Sequence, residues 1–192
     1  MKDAFDRAKG VAPYDLASSE HDYPEWEGQP RRTVLLCTHP RSGSTLLGEA
    51  LYFAGGLGCP LEYFHAGFRP SFARRWDAPD FDTLSAAVNR HRTSPEGTLG
   101  VKLFWRDIEE IARDADPELE RFANVPPADA PADYYVALAD HLGRLFPNPE
   151  FVHLWREDRL RQAASAVLAV ETGRWRLIPG ATHDDPAPAV PF

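Results

Sequence analysis

The sequence predicts an α/β fold built on a parallel sheet. Two observations carry that expectation. Short apolar runs rich in strand formers recur at 33–38, 98–103 and 150–156, and segments of helical period separate them. The first run, Thr33-Val34-Leu35-Leu36-Cys37-Thr38, is apolar on both of its alternating faces, as in a strand inside a parallel sheet.

The elements follow in order. Residues 1–30 hold Pro13, Pro24 and Pro30 with little periodicity and are read as an N-terminal arm. After the first strand a helix opens near Ser44, with Leu46, Leu47, Ala50, Leu51 and Ala54 on one face and Gly55-Gly56 as its stop. Gly58-Cys59-Pro60 makes a turn into Leu61-Glu62-Tyr63-Phe64. Residues 66–96, rich in Arg, Pro and aromatics, hold one or two short helices, with 80–92 the clearer candidate. Thr98 to Leu103 is the second strand, and a helix of about three turns follows from Asp107.

The Pro/Asp/Ala stretch 126–133 is a surface loop. Asp133 is a candidate cap for a helix that turns Tyr135, Leu138, Leu142 and Leu145 inward and ends at Pro147. Glu150 to Arg156 is the third strand. Asp158 then caps a helix burying Leu160, Ala163, Ala164, Val167 and Leu168, closed by Gly173. Four prolines in 177–192 mark a tail without its own structure. Three strands make a thin sheet, and with the Pro-rich tail they lead us to expect an incomplete version of a larger domain over 31–176.

Composition bounds the function. A hydrophobic content of 43% and a charged content of 26% are ordinary for a globular chain, and 192 residues suit one domain. No apolar run reaches the ~20 residues that cross a bilayer, and the polar N-terminus carries no secretory signal. The expected location is therefore cytoplasmic, without membrane insertion. A net charge of −8 speaks against a broad nucleic-acid surface. It leaves room for a phosphorylated ligand, because arginines cluster at 31–41, 69–75 and 156–161. Cys37 and Cys59 give neither a disulfide framework nor a metal pattern. A cysteine-phosphatase loop fails as well, since the residue six places after Cys37 is Gly43 and not arginine.

The chemistry concentrates between the first strand and its helix. In His39-Pro40-Arg41-Ser42-Gly43-Ser44-Thr45, Gly43 allows close backbone approach and Ser44 and Thr45 offer hydroxyls. Arg41 supplies a forked cation, and the free N–H groups of the helix start complete an anion cradle. The loop lacks the order and the lysine of a Walker A motif. An isolated R-S-G-S-T equally admits a plain reading, with Ser42 and Ser44 as helix caps and Arg41 solvated. Arg156, at the carboxyl end of the third strand, and Ser165, on the next helix, would face the same sheet edge, as would Lys102. Separate cationic sites suit a ligand with two separated anionic groups. Taken alone, Arg156 would pair with Glu157 or Asp158.

These residues carry a resemblance. Arg41-Ser42-Gly43-Ser44-Thr45-Leu46-Leu47, Pro60-Leu61-Glu62-Tyr63-Phe64, Gly100-Val101-Lys102-Leu103-Phe104-Trp105 and the run from Arg156 to Trp175 occur in an order. The sequence thereby resembles the bacterial sulfotransferases of the mycobacterial trehalose 2-sulfotransferase family, over about residues 33–176. The resemblance implies a three-layer, P-loop-like α/β fold and 3′-phosphoadenosine 5′-phosphosulfate (PAPS) as donor, with no metal expected. By resemblance Arg41, Ser42, Gly43, Ser44 and Thr45 would hold the phosphosulfate, and Arg156 and Ser165 the 3′-phosphate. Glu62 would be the catalytic base, and Lys102 would assist the leaving group or order the site. Trp105, Trp155 and Trp175 are read as packing residues. The implied partner is a small-molecule acceptor such as a sugar, and a homodimer stays open. Two alternatives remain: a P-loop nucleotide kinase and a non-catalytic nucleotide- or partner-binding remnant.

Overall fold

The computed structural model describes residues 14–123, 125–173 and 175. Strands β1 (Arg32–Thr38), β2 (Thr98–Phe104) and β3 (Pro149–Leu154) form a parallel sheet in the order β2-β1-β3. β1 is central and in register with both neighbours, so Thr38 lies opposite Phe104 on one side and Leu154 on the other. All three carboxyl ends therefore reach one edge. The expected α/β class with a parallel sheet is present.

Helices α1 (Ser44–Ala54), α2 (Arg69–Trp76) and α3 (Phe81–Arg92) lie in the first of the crossovers that parallel strands require, α4 (Trp105–Ala115) and α5 (Ala132–Leu145) lie in the second, and α6 (Arg159–Thr172) follows β3. Asp80 caps α3 in a box with Thr83, its carboxylate accepting from the Thr83 N–H at 2.7 Å. Asp158 caps α6 as the sequence predicts, and Gly173, at φ 66°, closes it. Three boundaries differ from expectation. β3 ends at Leu154, so Arg156 lies just beyond the strand and not on it. α4 begins two residues before Asp107, whose carboxylate reaches back to the Phe104 N–H. Asp133 lies within the first turn of α5 and does not cap it; the inward aromatic is Tyr134, while Tyr135 is only half-buried.

The core lies on the β2 side. Leu99, Val101 and Leu103 are wholly buried and pack with Tyr63, Phe64 and Val88. At the other edge β3 is exposed along almost its whole length. Helices near that edge follow suit, which corrects two expected faces. α1 buries Ser44 and Gly48 and leaves Leu46 73% exposed. α6 buries Ala169 and leaves Leu160 84% exposed, with Val167 also outside. Helical period locates an apolar stripe, but a stripe is buried only where another layer meets it. Among the described residues no helix is long and apolar enough to cross a membrane.

The described part of the N-terminal segment is pinned to the domain by one buried cation. Arg92 is fully buried and donates to the carbonyls of Leu16 at 2.8 Å and of Ser18 and His21 at 3.2 Å. It also pairs with Asp22 at 2.9 Å, and Arg75 pairs with the same carboxylate. A buried guanidinium of this kind is tolerable only because its charge and its donors are matched.

Gly48 sets how closely α1 approaches the segment that follows it. A Cβ there would stand 2.7 Å from the Pro60 carbonyl oxygen, which is backbone and cannot swing away. Gly143, inside α5, would meet nothing within 4 Å. Alanine gains up to about 1 kcal/mol of helix propensity at either site, whereas overpacking costs about 1–3 kcal/mol. Urea unfolding should therefore show Gly143→Ala stabilised and Gly48→Ala destabilised. Stabilisation of both would mean that α1 does not pack so tightly.

Candidate functional site

The chain leaves β1 and enters α1 within residues 39–43. That turn needs two left-handed residues, Arg41 at φ 65° and Gly43 at φ 91°. Glycine takes such a φ without penalty, but arginine does not, so Arg41 must be held there by its surroundings. Its side chain donates from Nε to Ser165 Oγ at 2.9 Å and from Nη1 to the Trp175 carbonyl. Its own carbonyl accepts from Arg156 Nη1 at 3.5 Å, and Gln162 donates to the Pro40 carbonyl at 2.8 Å. Beneath the turn, Thr38 Oγ1 lies 2.6 Å from Ser42 Oγ and 3.0 Å from the Leu154 carbonyl.

The result is a cavity of about 240 Å³ lined by Arg41, Gly43, Ser44, Thr45, Arg156, Ser165 and Trp175. Six of these seven residues are expected from sequence. Ser42 turns away from the cavity and ties the loop to β1. The plain reading of the loop does not hold. Gly43 occupies the cap position of α1 with no side-chain cap, so neither serine closes the first turn. Arg156 makes no ion pair with its acidic neighbours; Asp158 pairs with Arg161 at 3.3 Å instead. An uncapped helix start with two guanidinium groups beside it favours an anion.

Glu62 and Lys102 stand next to this cavity without lining it. Leu61 bridges to Val101 of β2, and its carbonyl accepts from the Lys102 N–H at 2.9 Å. That bridge brings Glu62 beside Lys102, and the lysine Nζ lies 2.6 Å from the Glu62 carboxylate and 3.2 Å from Thr45 Oγ1. Lys102 is buried and Glu62 is mostly so, so each offsets the desolvation of the other. Through Thr45 the pair touches the cavity.

Comparison with known proteins shows the family. Residues 33–189 match the sequence profile of the Stf0 sulphotransferases. The chain is similar to the trehalose 2-sulfotransferase of Mycobacterium tuberculosis, with 32% identity over 182 residues, covering 81% of this chain and 63% of that protein. It is similar also to the trehalose 2-sulfotransferase of Mycolicibacterium smegmatis, with 28% identity over 174 residues, covering 78% and 61%. The chain belongs to the Stf0 sulphotransferase family. It spans a little over three-fifths of the length of these relatives.

Within this family member, three features escaped the sequence reading. Trp175, taken for a packing residue, is 44% exposed and lines the cavity. Gly173 was the available signal, because a left-handed stop to α6 lets the chain fold back over the loop. Trp155 is likewise exposed, with the Arg159 guanidinium 5.7 Å from its ring centre. Third, Asp107 is buried close to Glu62. Its Oδ2 accepts from the Phe104 N–H at 2.9 Å, and its buried Oδ1 has no partner among the described residues. No signal in the sequence separates this aspartate from a surface one. Among the described residues no group of three His, Cys, Asp or Glu could hold a metal ion.

Burial first, then the charges of Glu62 and Glu110, push the Asp107 carboxyl above the ordinary range, against the pull of the Phe104 N–H and of His65. A carboxyl raised on folding stabilises the protein below the unfolded value, and that contribution is lost as pH rises through the folded value. Asp107→Asn keeps an acceptor for Phe104 and removes the charge. Denaturant unfolding at about pH 4 and about pH 8 should show the variant gaining on its parent as pH rises. A gain that shrinks with pH would contradict the account.

Proposed function

We propose that this chain carries the donor site of a PAPS-dependent sulfotransferase that sulfates a hydroxyl of a carbohydrate or other small alcohol. The observation that carries the reading is the meeting of Arg41, Arg156 and Ser165 around the uncapped start of α1, at the carboxyl ends of β1 and β3. In an open α/β sheet that edge is where ligands bind. Family membership supplies the chemistry, and the P-loop-like fold of the resemblance is retained as part of the proposal.

On this reading the Gly43, Ser44 and Thr45 amides, the two hydroxyls and Arg41 hold the 5′-phosphosulfate. Arg156 and Ser165 hold the 3′-phosphate, and Trp175 walls the same cavity. The acceptor oxygen attacks sulfur as the bond from sulfur to the bridging phosphate oxygen breaks. The electron pair of that bond leaves with adenosine 3′,5′-bisphosphate, and the hydroxyl proton passes to the Glu62 carboxylate. Preorganised positive charge near the leaving phosphate lowers the barrier, and a placed base contributes a further factor of about 10²–10⁴.

Lys102 gives the arrangement an internal logic. Without donor, its ammonium is divided between Glu62 and Thr45. A phosphosulfate on the loop adds a third claim on that cation, drawing it toward the leaving group and freeing the carboxylate. A trehalose acceptor is carried in the names of the two relatives, so sugars are the first acceptors to try.

Two measurements test the proposal. In thermal shift, adenosine 3′,5′-bisphosphate at about 100 times its dissociation constant should stabilise the chain by about 2.7 kcal/mol, clearly more than adenosine 5′-phosphate. A preference for ATP with Mg²⁺ would favour a kinase instead, and no response to any nucleotide would favour a non-catalytic remnant. Glu62→Gln should lower sulfate transfer at least about 100-fold while keeping bisphosphate affinity. Unchanged turnover would place the base elsewhere.

A further inference from the structure

A second concavity lies at the opposite end of α1. It has a volume of about 360 Å³ and is lined by His21, Tyr23, Tyr52, Phe53, Gly55, Gly56, Pro95 and Glu96. Helix α1 has 11 residues and at 1.5 Å per residue is about 16 Å long, so this cleft is separate from the donor cavity at its N-terminus.

Three of its properties point to the same ligand charge. First, the walls are rings gathered about Tyr52. Tyr23 lies 6.2 Å from it, Phe53 5.2 Å and His21 5.5 Å, centre to centre, while the Tyr52 hydroxyl shares a 3.0 Å hydrogen bond with His21 Nδ1. Phe53 is exposed despite its size. Burial above all, with Cys59, Tyr52 and Glu96 nearby, pushes the Tyr23 phenol up to about 12, so its ring is neutral at physiological pH. Aromatic faces carry partial negative charge that attracts cations.

Second, the lining holds one carboxylate, Glu96, and neither lysine nor arginine. Glu96 is exposed at the tip of the turn Ser94–Gly97, which the Gly97 N–H closes onto the Ser94 carbonyl at 2.8 Å. No ion pair engages it among the described residues. The Arg31 side chain lies against Gly97 with its guanidinium 5.8 Å from the Trp26 ring centre, and the Arg92 guanidinium is committed to Asp22 and to three backbone carbonyls. Third, the cleft sits at the carboxyl end of a helix, where the dipole adds partial negative charge. The His21 ring and the Tyr52 hydroxyl are hydrogen-bonded to each other, so the cleft presents chiefly ring faces and one carboxylate.

We propose that the cleft at the C-terminal end of α1 binds a small organic ammonium cation, its methyl or methylene groups against Tyr23, Tyr52 and Phe53 and its charge facing Glu96. The site is independent of the donor cavity and of the sulfuryl-transfer reading.

Choline and its neutral isostere 3,3-dimethylbutan-1-ol are the probes, followed by calorimetry and by ring-proton shifts of the tyrosines in the full chain. Choline should bind at millimolar concentration or below, shift the Tyr23 and Tyr52 signals, and bind at least about fivefold tighter than the isostere. Glu96→Gln should weaken choline by a similar factor without changing the melting temperature. Tyr52→Leu should abolish the difference between the two probes. Equal binding of choline and isostere, an unchanged Kd in Glu96→Gln, or no ring shift at millimolar choline would each overturn the proposal. Glucose binding in choline's place would do so too. A trimethyllysine peptide should bind no better than choline; much tighter binding would make the ligand a protein side chain and overturn the small-molecule assignment.

Discussion

Everything around the loop cavity of this molecule depends on turning the chain from β1 into α1 within five residues. The turn leaves Arg41 and Gly43 in left-handed backbone conformations. Glycine accepts that without cost, and arginine accepts it only under restraint. The restraint comes from α6 and the residues after it, through Ser165, Gln162 and Trp175, and from Arg156 on the Arg41 carbonyl. An element more than 110 residues along the chain thus fixes the loop, and in doing so delimits the cavity that the loop opens on.

The other half of the site hangs on β2. Its register beside β1 sets Lys102 across from Leu36, and the Leu61 bridge delivers Glu62 to the same ammonium. Lys102 then reaches Thr45 on the first turn of α1. One buried cation therefore joins the strand, the Glu62 segment and the anion loop. Such a pair gives little net stability after desolvation. Its value is placement, since removing either partner would strand a charge in a poorly hydrated position.

Much of this was legible in the sequence, because local signals agreed with the fold. The two-sided apolar run at 33–38 gave a central strand, and Asp158 with Gly173 bracketed α6 as a cap and a stop should. The loop residues and Arg156 could be assigned to one edge because parallel strands end together. What stayed hidden depended on neighbours distant in sequence. Period placed Leu46 and Leu160 on apolar stripes but could not say that β3 would be left exposed beside them. Tyr134 and Tyr135 are adjacent on the first turn of α5, and only packing against α4 chooses the inward one. Arg92 reads as an ordinary helix-end cation until the carbonyls of residues 16–21 converge on it. Asp107 and Trp175 take their significance from contacts that no spacing rule encodes.

The central proposal is that the left-handed Arg41, held by α6, grips the donor. Calorimetric titration of adenosine 3′,5′-bisphosphate into the parent chain and into Arg41→Ala tests it most directly. Loss of charge-assisted hydrogen bonds worth about 1.5–3 kcal/mol predicts a Kd at least about tenfold higher in the variant, with the helical content of the chain unchanged. Equal affinity in the two proteins would contradict the account.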